Sequence, residues 1–197
     1  MMSGTEKKLM VVEDDPDERE LYRQILKDEY DVTKAAGGEE ALEEIDSSYD
    51  LILLDRKMPD LHGDKVLKKI RNNSRTAQIP VIMLTALDAN LDIIDMEFDD
   101  YINKPVSADD LRDIVKKTLS YTRYNKVLDR YFSLINKKEA LVGSLNQSKL
   151  EGSDEYQELQ EEIEETRREL DQELDKIMED IPVEDLSGFE KFLENLL

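Results

Sequence analysis

At four points along this sequence an apolar run gives way to a residue able to do chemistry. Leu9-Met10-Val11-Val12 ends in Glu13-Asp14-Asp15, Leu51-Ile52-Leu53-Leu54 in Asp55, and Pro80-Val81-Ile82-Met83-Leu84 in Thr85; Tyr101-Ile102 leads to Lys104. Moving a phosphoryl group onto a carboxylate requires a nucleophilic carboxylate, a divalent metal to offset charge, a cation, and a donor for the remaining oxygens. Asp55 is the candidate nucleophile. The acids at 13–15 form an oxygen-rich cluster of the kind that suits Mg²⁺. Thr85 offers the hydroxyl and Lys104 the ammonium. Each residue alone has a plainer reading: a carboxylate after a strand more often caps a helix, and adjacent acids are usually solvated surface. Only their joint placement after successive runs points to a site.

For these residues to meet, the runs must be strands of one sheet. Continuous apolar stretches of this length suit strands buried on both faces, as in a parallel sheet. Weaker strand signals lie at 31–35 and 101–102. Between them fall helical stripes: Leu21, Ile25 and Leu26; Ala41, Leu42 and Ile45; Val66, Leu67 and Ile70; and a short fourth at Leu91, Ile93, Ile94 and Met96. Ser107 is a fitting N-cap for a fifth helix, with Asp109 and Asp110 at its positive end. Five β-then-α units predict an α/β fold, a doubly wound five-stranded parallel sheet with its site at the carboxyl edge.

Beyond residue 110 the pattern changes. Apolar positions continue from Leu111 to Leu145, and no proline occurs between Val106 and Ile181, so the fifth helix is expected to run on into the C-terminal segment. Gly152-Ser153-Asp154 reads as a break and a new helix start. Tyr156, Leu159, Ile163, Thr166, Leu170, Glu173 and Ile177 then follow at steps of three and four, a coiled-coil stripe. Phe189, Phe192, Leu193 and Leu196 suggest a last short helix. Residues 121–149 carry six basic and two acidic side chains, whereas 150–197 carry four basic and eighteen acidic. Two helices of opposite charge joined by a short turn favour an antiparallel hairpin over one solvated acidic helix. The expected domains are therefore 1–120 and 121–197.

Composition excludes several classes. The absence of cysteine removes disulfides, thiolate catalysis and cysteine-bound metal, and a lone histidine, His62, removes a histidine-rich metal site. A formal charge of −21 disfavours nucleic acid as the default partner. No apolar run approaches the roughly 18 residues of a membrane span, and no signal-like segment opens the chain, so a cytoplasmic location without membrane contact is expected.

The segments Val11-Val12-Glu13-Asp14-Asp15-Pro16, Asp55 through Gly63, Leu84-Thr85-Ala86 and Tyr101-Ile102-Asn103-Lys104-Pro105 resemble the motifs of the response-regulator receiver family, with a flavodoxin-like fold, over residues 8–120. The resemblance implies that Asp55 is the phosphoacceptor, supplied by a histidine kinase or phosphotransfer protein. It implies that Asp14 ligates Mg²⁺ directly, Glu13 through water, and the backbone carbonyl of Lys57 as a further ligand, with Asp15 outside the set. Thr85 and Tyr101 would be the switch pair, and Lys104 would hold the phosphoryl group. Beyond its own phosphoryl transfer and slow hydrolysis, no enzyme activity is implied. Glu97 departs from the pattern, since the family often has glycine there; a left-handed backbone at this position would strain it.

A second resemblance, over roughly 121–178, is to the HalX domain of haloarchaeal receivers. It rests on Tyr124-Asn125-Lys126-Val127-Leu128-Asp129-Arg130-Tyr131-Phe132-Ser133-Leu134, on Lys137 to Leu141, and on Tyr156-Gln157-Glu158-Leu159. Two outputs stay open. Protein contact through a helical hairpin, including pairing of two copies, is favoured. DNA binding is the alternative, but no helix-turn-helix with a basic recognition face is present.

Overall fold

Strands β1 (Lys8–Val12), β3 (Leu51–Asp55) and β4 (Val81–Thr85) are almost wholly buried along their length, which is why their sequences do not alternate. With β2 (Asp31–Ala35) and β5 (Asp100–Asn103) they form one parallel sheet in the order β2-β1-β3-β4-β5. The computed structural model describes residues 6–86, 94, 96–146, 149–150 and 152–180. Most of the expected short fourth helix, and the expected helix at 189–196, lie outside those residues.

Alternate side chains of each strand enter different cores. Met10, Val12, Ile52, Leu54, Val81 and Met83 pack with α2 (Gly38–Glu44) and α3 (Gly63–Arg71) through Ala41, Val66, Leu67 and Ile70. Leu9, Val11, Leu51, Leu53, Ile82 and Leu84 pack with α1 (Pro16–Leu26) and with the start of α4 (Ala108–Ser144) through Leu111 and Val115. Helices on both faces make the sheet doubly wound, and the strand order reverses between β1 and β3. Open α/β sheets bind their ligands beyond the carboxyl ends of the strands at such a reversal.

Local signals set the helix ends. Asp15 accepts from the N–H groups of Asp17 (2.8 Å) and Glu18 (3.1 Å), capping α1, whose first turn opens on Pro16. Ser107 accepts from the N–H of Asp110 at 3.1 Å and so caps α4. At Gly63 the chain passes so close to the carbonyl of Asp55 that a Cβ would collide with it, which ties the start of α3 to the end of β3. No described residue other than glycine has a positive φ, so Glu97 carries no left-handed strain.

The chain divides into two compact units, Met1–Leu119 and Ser120–Leu197, and α4 contributes residues to both. In the second unit α4 pairs with α5 (Asp154–Asp180) as an antiparallel hairpin, with Arg123 bound to Glu173 at 3.0 Å and Arg130 to Glu162 at 2.8 Å. The stripe from Tyr156 to Ile177 is the covered side of α5: Ile163, Thr166, Glu173 and Ile177 are buried and Tyr156, Leu159 and Leu170 half-buried. Tyr121, Tyr124, Leu128, Leu170, Leu174 and Ile177 form its apolar contact. None of the described helices is long and apolar enough to cross a membrane.

Candidate functional site

The ends of β1, β3 and β4 and the loop after β5 bring their reactive residues to one edge of the sheet. Parallel register sets Val12 beside Leu54 and Asp55 beside Leu84, so the chain leaves three adjacent strands at nearly the same height. Asp55 is the last residue of β3 and 4% exposed. Its Oδ2 accepts the N–H of Lys57 at 2.9 Å, while Oδ1 lies 2.9 Å from the Lys104 ammonium. Glu13, 2% exposed, meets the same ammonium at 2.5 Å. Asp14 is the most exposed of the three acids, and ligand oxygens of Glu13, Asp14 and Asp55 all lie within 4.8 Å of one another.

That donor set fits a small, hard divalent cation. Carboxylate oxygens are the ligands Mg²⁺ prefers, and Lys104 alone cannot balance three carboxylates. Burial pushes the Glu13 carboxyl up to about 7, only partly opposed by its hydrogen bond to Lys104, and the charge of Asp55 adds to the rise. Burial works against the charge of Lys104. Hydrogen bonds with Glu13, Glu18 and Asp55 outweigh it and hold its ammonium well above the usual lysine range.

Thr85, fully buried, is the last residue of β4, and its carbonyl accepts the N–H of Lys104 at 2.7 Å. Tyr101 stands opposite Met83 on β5, half-buried, its ring 5.6 Å from that of Phe98. Side chains two apart on a strand share a face. Thr85 therefore points to the side of the sheet where Met83 packs, and Tyr101 packs against the same cluster. Lys57 lies in the loop after β3 with its side chain exposed, and the Lys104–Pro105 peptide is cis. His62 is exposed at the N-cap position of α3 and makes no capping bond.

Several participants were not foreseen from sequence. Glu18, on α1, is a third acceptor of the Lys104 ammonium at 2.7 Å. Arg19 donates to the carbonyls of Glu13 (2.6 Å) and Asp14 (3.1 Å), bracing the acidic loop from the helix that follows it. The buried Arg56 pairs with Asp64 at 3.0 Å and so ties the loop after Asp55 to α3. Asp15 is turned to its helix, and the N–H groups of Glu18 and Asp17 hold its carboxyl below the usual range. A helix-start pattern at Asp15-Pro16-Asp17-Glu18 could have suggested the cap. Nothing local signals that Glu18 meets a lysine from the far end of the domain.

Comparison with known proteins places the family and the fold. Residues 9–116 match the family model described as response regulator receiver domain, and residues 120–187 match that of the HalX domain. A protein of Haloferax volcanii, described as a candidate transcriptional regulator, is 38% identical over 139 residues, covering 70% of this chain and 24% of that protein. The chain spans less than two thirds of the length of the curated relatives it first matches. Among solved structures, a CheY-like receiver domain from Methanospirillum hungatei JF-1 shares 30% identity with a TM-score of 0.56, covering 60% of this chain and 98% of that one. The receiver domain of a sensor histidine kinase from Pseudomonas aeruginosa PAO1, solved with magnesium in its active-site cleft, shares 28% identity with a TM-score of 0.53, covering 58% of this chain and 98% of that one.

Proposed function

The chain belongs to the response regulator receiver family, with a HalX domain after the receiver, and from that premise we propose that it is a phosphorylation switch whose acceptor is Asp55. The observation that carries this reading is the Lys104 ammonium, held between the buried carboxylates of Asp55 and Glu13 at the carboxyl edge of the sheet. A carboxylate oxygen of Asp55 attacks the phosphorus of a phosphohistidine on a kinase or phosphotransfer protein. The P–N bond breaks, and its electron pair stays on the imidazole. Lys104 and the Thr85 hydroxyl donate to the phosphoryl oxygens. Glu13, Asp14, Asp55 and the Lys57 carbonyl would hold Mg²⁺, which when bound offsets the phosphoryl charge. Hydrolysis returns the carboxylate, and no other catalysis is assigned to the chain.

The new dianion draws the Thr85 hydroxyl toward it, and the Tyr101 ring fills the space left behind. Residues 1–120 act as the receiver and 121–197 as a helical output, with α4 common to both. The output is protein contact or pairing of two chains, in the cytoplasm. Arg123 and Arg130, two of the basic residues that DNA phosphates would need, are engaged by acids of α5, which favours this output. The Haloferax relative's description as a transcriptional regulator favours a second reading, a phosphorylation-controlled transcription regulator that binds DNA.

Incubation with a small phosphodonor and Mg²⁺ should add one phosphoryl group, and Asp55→Asn should abolish the uptake. Undiminished labelling of Asp55→Asn would remove Asp55 as acceptor. Gel shift and pull-down with the phosphorylated chain then separate the two outputs.

A further inference from the structure

The Lys104 ammonium has three N–H groups and three carboxylate partners: Glu13 at 2.5 Å, Glu18 at 2.7 Å and Asp55 at 2.9 Å. A phosphoryl oxygen entering the site must therefore take an N–H that is already bonded. The three partners are not equally easy to leave. The Glu13 side chain is 2% exposed, and with no metal bound a buried carboxylate stripped of the ammonium has no water to replace it. The Asp55 side chain, 5% exposed, carries the phosphoryl group itself, so its contact passes to that group without freeing a further donor. Glu18 is 42% exposed, so water can take over when the ammonium departs. Glu18 also lies outside the cluster of acids that could share a metal ion. Its backbone is anchored, since its N–H donates to the capping Asp15, and its carboxylate accepts from the Tyr22 hydroxyl at 3.4 Å.

We propose that Glu18 is a positioning residue that competes with the phosphoryl group for the Lys104 ammonium, so that breaking this contact opposes the phosphorylated state. The proposal rests on the reading of Asp55 as the phosphoacceptor. It makes α1, which supplies none of the proposed reacting groups, a regulator of how fully the switch is thrown. Loss of the Glu18 contact leaves an ammonium already directed at Asp55 with one donor to spare. An ion pair with one partner this exposed is worth little, so the effect is modest.

The test compares the native chain with Glu18→Gln and Glu18→Asp. Glutamine removes the charge; aspartate keeps it but is one methylene too short to maintain the contact. Fluoroberyllate, which occupies an acceptor carboxylate as a phosphoryl mimic, is titrated at fixed Mg²⁺ and followed by fluorine NMR. Both variants should half-saturate at a concentration about threefold to fivefold lower than the native chain. Without metal, the Lys104 ammonium protons should exchange faster with water in both variants. Tightening in Glu18→Gln alone would show a general charge effect and overturn the proposal, as would unchanged or weaker binding in both. Unchanged ammonium exchange would overturn it too. A native chain that takes up no fluoroberyllate would instead refute the phosphoacceptor reading beneath it.

Discussion

Burial and hydrogen bonding act on Glu13 in opposite directions, and burial wins. Its carboxyl is raised from 4.5 to about 7, so the fold favours the protonated form. The stability that Glu13 contributes is then fully present below pH 4.5 and is lost as pH climbs through about 7. In metal-free protein, the unfolding free energy of the native chain minus that of Glu13→Gln should fall across this window, by ~3 kcal/mol at most. Urea denaturation over a pH series measures it; the subtraction removes other carboxylates, such as Asp15, whose shifts have the opposite sign. A difference independent of pH would contradict the assignment. The neighbouring acids separate by role. Asp15→Ala should lower the melting temperature modestly as a lost N-cap and leave the rise caused by Mg²⁺ intact. Asp14→Ala should remove most of that rise, and equal responses of the two variants would misplace the metal.

Between α4 and α5 one charged residue occupies a core position. Glu173 is 3% exposed on a stripe otherwise built of apolar residues, tyrosine and Thr166, which satisfies its hydroxyl on the Glu162 carbonyl at 2.8 Å. Glu173 binds Arg123 at 3.0 Å and Lys176 at 2.7 Å. Such pairs stabilise little over an apolar substitute, whereas removing one partner leaves a buried charge short of compensation. Glu173→Leu is therefore expected to leave the hairpin as stable or to stabilise it by about 1 kcal/mol, while Arg123→Met costs about 1–3 kcal/mol. Thermal melting followed by helical circular dichroism checks both. A loss above about 1 kcal/mol in Glu173→Leu would show that the pair contributes more than an apolar contact could.

Charge dominates the molecule as a whole. A formal charge of −21 makes two copies repel, and that repulsion is screened by salt over a Debye length of about 10 Å at 0.1 M. Pairing of phosphorylated chains is therefore expected to strengthen as salt rises. Sedimentation of phosphorylated and unmodified protein at low and high salt tests this, and a monomer in all four conditions leaves a different protein as the output partner. At this scale too the division between sequence and tertiary structure is plain. Strand positions could be read locally, because a strand buried on both faces must be apolar throughout, as Leu51 to Leu54 are. The stripe from Tyr156 to Ile177 was legible for a similar reason, since a helix that covers one face repeats every three or four residues. Three consecutive acids, by contrast, look alike by residue type, and it is the resemblance to the family motif that sets Asp15 apart from Glu13 and Asp14. Only the folded chain shows that Glu13 is buried, that Asp14 faces the shared cluster, and that Asp15 turns to the N–H groups of α1. The meeting of Glu18 with Lys104 spans 86 positions and carries no period or motif. Strand order and register decided it, because they alone set which loops share an edge of the sheet.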